Sequence, residues 1–317
     1  MLLLFEYVVV AALVVYLSIK ASEYIDMLDK TTDLSGAFLG GVLLSAVTSL
    51  PELFTSISAT VLLNKPSLCI GNILGSNLFN VAILALLGIV AVRGFRRATV
   101  ARGNIAVTCF VLLIYVALIL NWFNILDFEI ATLNVVTFVI VALYLFGVRY
   151  LAGDNGEKCD CDDKTIGLTT RQIAVRFAAV SVGIISLSIL MTYITDDIAV
   201  EYNIGMGLAG AIFLGVATSL PEVSSTIALF RMKNYNVAVG NIIGSNLFNF
   251  VVLCIADLFC FRGNVYDYSD PKVDNLLMFG CVATLAMLPA LRSKNCAVKV
   301  VCLAAVVACY AAFLLVD

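Results

Sequence analysis

The chain reads as an all-α polytopic membrane protein, with ten transmembrane helices arranged as two inverted repeats of five. Three observations predict this. Of the 317 residues 62% are hydrophobic and 13% charged, with mean hydropathy +1.04; that balance leaves too little polar surface to wrap a soluble core. Ten apolar runs approach or exceed the roughly 18–20 residues needed to cross a bilayer as helix. Two sequence blocks recur in the same order in both halves of the chain.

The runs lie at about 2–19, 36–63, 68–92, 103–121, 128–148, 172–195, 205–230, 236–260, 274–291 and 297–316. Alternating apolar segments of the kind that build a membrane β-barrel are missing. The first run lacks a basic leader, contains Glu6 and has no small-residue cleavage site, so it is read as a retained helix rather than a signal peptide. Sixteen of the nineteen Lys and Arg residues, Lys299 among them, fall in or beside the odd-numbered connections; Lys65, Arg262 and Lys272 are the exceptions. By the positive-inside rule both termini face outward and the loop of residues 150–170 is cytoplasmic, in a multi-pass cell-membrane protein.

Seven of the ten cysteines lie in or at the ends of predicted spans, where cysteine behaves as a small hydrophobe. Cys159 and Cys161, in EKCDCDDK at 157–164, stand with three aspartates and could take a soft metal. Their spacing matches no established site, so a solvated, reduced linker is the expectation.

The repeat sets the organisation: a first unit over 1–150, a linker over 151–170 and a second unit over 171–317, together one transport domain. TSLPE at 48–52 is followed by GNILGSNLFN at 71–80, and TSLPE at 218–222 by GNIIGSNLFN at 240–249. Across these fifteen positions only Leu74 and Ile243 differ. Five spans per unit is an odd number, so the second copy enters the membrane from the opposite side, a plan that recurs in secondary transporters.

Within the first block, Pro51 and Pro221 deny a hydrogen-bond donor to the carbonyls of Val47 and Ala217. Backbone freed at membrane depth persists only where it is buried in protein or lines a cavity. Glu52 and Glu222 add formal charge, each at a cost of at least about 2.5–3.5 kcal/mol at the bilayer centre, and such residues mark ion or substrate paths. Thr48, Ser49, Thr218 and Ser219 place hydroxyls about one turn earlier; alone they would be read as bonding back to their own helix, but beside both glutamates they extend a set of hard oxygen ligands of the kind Ca²⁺ accepts. The chain has no histidine, which sets aside a catalytic zinc or a histidine-based proton relay at this place. In the second block, Gly71, Gly75, Gly240 and Gly244 form small-xxx-small spacings that allow close helix approach. That approach would bring Ser76, Asn80, Ser245 and Asn249 towards the glutamates. Asn72, Asn77, Asn241 and Asn246 are expected to bond across helices instead.

The paired TSLPE and GNxxGSNxxN blocks resemble the two α-repeats of the cation/Ca²⁺ exchanger superfamily, the sodium/calcium exchangers, over essentially all ten predicted helices. The resemblance implies a ten-helix fold in which the second, third, seventh and eighth helices surround the ion sites and the first and sixth move as a gating pair. It implies as ligands Thr48, Ser49, Glu52, Ser76 and Asn80 in one repeat and Thr218, Ser219, Glu222, Ser245 and Asn249 in the other, with backbone carbonyls near Ser45 and Gly215. Two departures stand out. Val47 and Ala217 precede the TS pairs where the family usually has glycine, and Asn249 stands where several microbial and potassium-dependent relatives have aspartate. With asparagine in both repeats the ionised site carries two negative charges, balanced by one Ca²⁺ or two Na⁺.

The expected function is Ca²⁺/Na⁺ antiport by alternating access, without enzymatic chemistry or cofactor. Its partners are the transported Ca²⁺ and Na⁺ and the lipid bilayer, with no nucleic acid and no obligate protein partner. A proton-coupled Ca²⁺ exchanger is the nearest alternative, since burial and mutual repulsion can hold a proton on a carboxylate; a passive cation channel and a membrane hydrolase are more remote. The same oxygen set also suits Mn²⁺ or Mg²⁺.

Overall fold

A computed structural model describes residues 2–62, 66–130, 133–153, 168–201, 215–260, 265–266 and 271–316. Cys159 and Cys161, Lys65 and the start of the expected 205–230 run lie outside the described residues. Helices dominate because a backbone surrounded by hydrocarbon must pair its own N–H and C=O groups.

The first helix, α1 (Leu2–Thr31), continues well past the expected end at about residue 19. The second expected run is not one helix. It comprises α2 (Gly36–Phe38), a π-helical stretch Leu39–Leu44, α3 (Ser45–Thr48), α4 (Leu50–Ile57) and a second π-helical stretch Ser58–Leu62. Helix α5 (Pro66–Val90) is followed by the short α6 (Val92–Arg97) and by α7 (Arg102–Trp122). The fifth expected run begins late. Its first residues form a two-residue antiparallel pairing, β1 (Glu129–Ile130) with β2 (Leu133–Asn134), and α8 covers Val135–Ala152. The reason is local: the Asn134 side chain accepts a hydrogen bond from the Val136 N–H and caps the helix there. The second half holds α9 (Thr170–Glu201), α10 (Gly215–Arg231), α11 (Tyr235–Phe259), α12 (Pro271–Arg292) and α13 (Cys296–Val316).

Among the described residues, eight helices are long and apolar enough to cross a membrane, and Gly36–Thr48 with Leu50–Ile57, bent by 41°, makes a ninth. Helix α10 carries the described part of the remaining expected run. The packing centres on α11, which lies against α5, α7, α8, α10 and the broken second span. One large core joins Ile73 and Leu74 of α5, Ile114 of α7, Ile242 and Leu247 of α11 and Leu277 of α12. A smaller one joins Val10 and Val14 of α1 to Met191, Ile194 and Ile198 of α9, so that α1 and α9 pack chiefly along each other.

Glycine sets the closest approach to the second span. A Cβ on Gly244 would coincide with the Gly41 backbone, and one on Gly40 with the Val237 carbonyl; only hydrogen fits at either place. Among the described residues Gly71 and Gly75 meet only Val273 and Leu276, at ordinary contact.

Candidate functional site

The site forms where both TSLPE segments meet the two GNxxGSNLFN helices. In the first half, Ser49 has left the helical region (φ −93°, ψ 5°), and Pro51 sits at the start of α4, where its missing N–H costs little. Glu52 thereby lies in the first turn of α4, next to the positive end of that helix's dipole. In the second half α10 runs through Pro221 without interruption, so Glu222 is carried mid-helix. The two prolines were expected to act alike; only the first marks a break.

Both glutamates are fully buried. Glu222 Oε1 accepts a 2.9 Å hydrogen bond from the Ser49 hydroxyl, which ties one half of the chain to the other. Among the described residues, Glu222 Oε2 and both Glu52 carboxylate oxygens have no hydrogen-bond partner. Thr218 approaches Glu52, and the two carboxyls are close enough for their charges to act on each other. Among the described residues neither glutamate has a cationic partner.

The expected hydroxyl ligands are buried with them. The Thr48 hydroxyl bonds to the Ser45 carbonyl at 3.2 Å and lies 3.4 Å from the Ser245 hydroxyl on α11. Ser219 and Ser76 are also buried. The Ser45 carbonyl accepts the Ser49 N–H at 3.0 Å as well as the Thr48 hydroxyl; the Ser45 hydroxyl bonds to the Gly41 carbonyl at 2.8 Å inside the π-helical stretch. Gly215 opens α10. Asn80 and Asn249 each donate through Nδ2 to an asparagine of the opposite half, while their Oδ1 atoms have no partner among the described residues.

Among the described residues, five buried side-chain atoms of Glu52, Glu222, Asn80 and Asn249 lack a hydrogen-bond partner. All five are acceptors. Buried polar groups are ordinarily paired, so a concentration of acceptors without donors is what a dehydrated cation would satisfy. Hydroxyl, amide and carboxylate oxygens together match a hard ion rather than a soft one, and no group of three His, Cys, Asp or Glu side chains suited to a metal occurs among the described residues.

Behind these atoms stands a supporting layer. Asn72 donates to the hydroxyls of Thr55 (3.3 Å) and Ser56 (3.1 Å), and Asn241 to those of Ser225 (3.0 Å) and Thr226 (3.1 Å). Thr55 and Ser225 in turn donate to the backbone carbonyls of Glu52 and Glu222, each at 3.0 Å. These four hydroxyls were not among the expected site residues. Their signal was the hydroxyl pair three and four residues after each glutamate, TS at 55–56 and ST at 225–226.

Fold and site together define a multi-pass membrane transporter. The chain belongs to the sodium/calcium exchanger protein family, whose model matches residues 3–152 and 173–316. It is 29% identical over 259 residues to the inner membrane protein YrbG of Escherichia coli strain K12, a match covering 76% of this chain and 74% of that one. It is 25% identical over 220 residues to the membrane protein MJ0091 of Methanocaldococcus jannaschii, covering 68% of each. Among solved structures, the sodium-calcium exchanger NCX_Mj soaked with 2.5 mM Na⁺ and 0.1 mM Ca²⁺ superposes with a TM-score of 0.74 at 20% identity over 98% of both chains. The same exchanger soaked without Na⁺ or Ca²⁺ gives 0.70 at 18% identity, over 98% of this chain and 99% of that one. At such identity the likeness establishes the fold.

Proposed function

We propose that this protein is a secondary-active antiporter that exchanges Ca²⁺ for Na⁺ by alternating access between two inverted five-helix repeats. The observation that carries the reading is the set of five acceptor oxygens on Glu52, Glu222, Asn80 and Asn249 that have no partner among the described residues. One Ca²⁺ or several Na⁺ would neutralise the two carboxylates, and the empty, doubly charged site would be too costly to close off from water. Uncoupled return is thereby suppressed, and exchange is the outcome. The ligands proposed are Thr48, Ser49, Glu52, Ser76 and Asn80 with Thr218, Ser219, Glu222, Ser245 and Asn249. The pairing of α1 with α9 supports their movement as a gating pair, with termini outside and the 150–170 loop cytoplasmic.

The test is ion-replacement transport in proteoliposomes, with Na⁺, H⁺, K⁺ and the divalent ion varied independently. Ca²⁺ uptake that follows an outward-directed Na⁺ gradient at clamped pH supports the reading. Uptake that follows a proton gradient and ignores Na⁺ would assign proton coupling, and single-channel currents would replace exchange by passive conduction.

A further inference from the structure

Four asparagines form a closed lattice between α5 and α11. Asn77 donates through Nδ2 to the Asn246 backbone carbonyl at 3.3 Å, and Asn246 through Nδ2 to the Asn77 backbone carbonyl at 3.0 Å. Asn249 donates to Asn77 Oδ1 at 3.0 Å and Asn80 to Asn246 Oδ1 at 3.1 Å. All four side chains are buried.

The sense of every amide follows from the two backbone groups. A carbonyl oxygen only accepts, so the amides of Asn77 and Asn246 must turn nitrogen towards it and oxygen away. Those oxygens need donors, and the Nδ2 atoms of Asn249 and Asn80 supply them. With their nitrogens committed, Asn80 and Asn249 leave Oδ1 without a partner among the described residues. Helix backbone positions are thus converted into a fixed direction for two acceptor atoms.

We infer that Asn77 and Asn246 are positioning residues: acting through Asn249 and Asn80, they aim two amide oxygens at the transported cation and admit an amide, but not a carboxylate, at both places. The inference rests on the cation-exchange reading above. A carboxylate at position 249 would set an oxygen against Asn77 Oδ1, with no hydrogen between them. Turning Asn77 over would only move the clash to the Asn246 carbonyl. The lattice therefore confines the formal charge of the site to Glu52 and Glu222.

The experiment is a pair of mutant cycles read as Na⁺-gradient-driven Ca²⁺ uptake into proteoliposomes, with half-saturating Ca²⁺ and maximal rate separated, on variants monodisperse in detergent. Asn77→Ala should raise half-saturating Ca²⁺ by about tenfold, the scale of one misaligned ligand. In an Asn249→Ala background the same change should add less than about twofold, because its effect runs through Asn249. Asn77→Ala should also restore uptake to Asn249→Asp, by about fivefold or more, since it removes the opposing oxygen. A purely structural role predicts the reverse: additive losses, and a double variant worse than either single one. That result would overturn the inference while leaving exchange intact, whereas a parent protein without Na⁺-driven uptake would overturn both. Where Asn77→Ala does not fold, the mirror cycle on Asn246 and Asn80 replaces it; failure of both to fold would refute a positioning role.

Discussion

Glu52 and Glu222 are alike in sequence and unlike in their bonds, since Ser49 serves only the second. Glu52→Gln and Glu222→Gln each keep the volume and remove half of the formal charge. Each is expected to lower Ca²⁺ transport by about a hundredfold or more, on the scale of about 3 kcal/mol for one partner lost from a buried charged site, while the purified protein remains monodisperse. Near-parental uptake by either variant would refute the ligand assignment. Ser49→Ala should raise half-saturating Ca²⁺ about tenfold, because it withdraws one oxygen and frees Glu222 from the first half; an unchanged value would mean that this bond is incidental. Both glutamates were legible in the sequence because charge inside an apolar run has few structural explanations. Thr55, Ser56, Ser225 and Thr226 were not. A hydroxyl on a helix reads the same whether it merely bonds back one turn or also receives an amide from a helix sixteen residues on.

Apolar runs announced the helices but not their breaks or limits. Asn134 delays α8, and π-helical turns at Leu39–Leu44 and Ser58–Leu62 flank α3 and α4. Lys299, counted in or beside the ninth connection, lies in the first turn of α13, buried with its ammonium 4.2 Å from the centre of the Phe95 ring. A cation over an aromatic face is compatible with such burial, and nothing in the local sequence shows that Phe95 will be there. Two substitutions test the contacts between elements. Gly244→Ala forces a methyl group onto the Gly41 backbone and should cost about 1–3 kcal/mol or more, seen as a lower melting temperature in detergent; an unchanged melt would show that the second span yields freely. Asn234 caps α11 and donates to Asp26 at 2.8 Å and Asp29 at 2.9 Å, joining α1 to the turn between α10 and α11. Asn234→Ala should destabilise by about 2 kcal/mol or more, because two charge-assisted bonds and a cap are lost together.

For the whole molecule, the spacing of the two blocks revealed the duplication, whereas the meeting of its halves emerges only in three dimensions. Asn77 with Asn246 and Ser49 with Glu222 are each separated by more than 160 residues. The proposed orientation can be tested with a membrane-impermeant thiol reagent in a background where Cys159, Cys161 and Cys296 are serine. Arg97→Cys and Lys233→Cys should react only from the cytoplasmic side, and Ile125→Cys only from the outer side. Labelling of all three from one side would discard the inverted arrangement.

The pentapeptide TSLPE adopts two shapes in one molecule, kinked at Ser49 and continuous through Pro221. Identical letters with different geometry mean that local preference does not choose between them; the surroundings do. The two shapes are therefore close in intrinsic energy, within the few kcal/mol that ordinary packing contacts supply. On the proposed exchange cycle, a near-degenerate segment of this kind would serve as a toggle. With two copies in the chain, one would straighten as the other bends, and the conformational cost would pass between the halves rather than be met anew at each turnover.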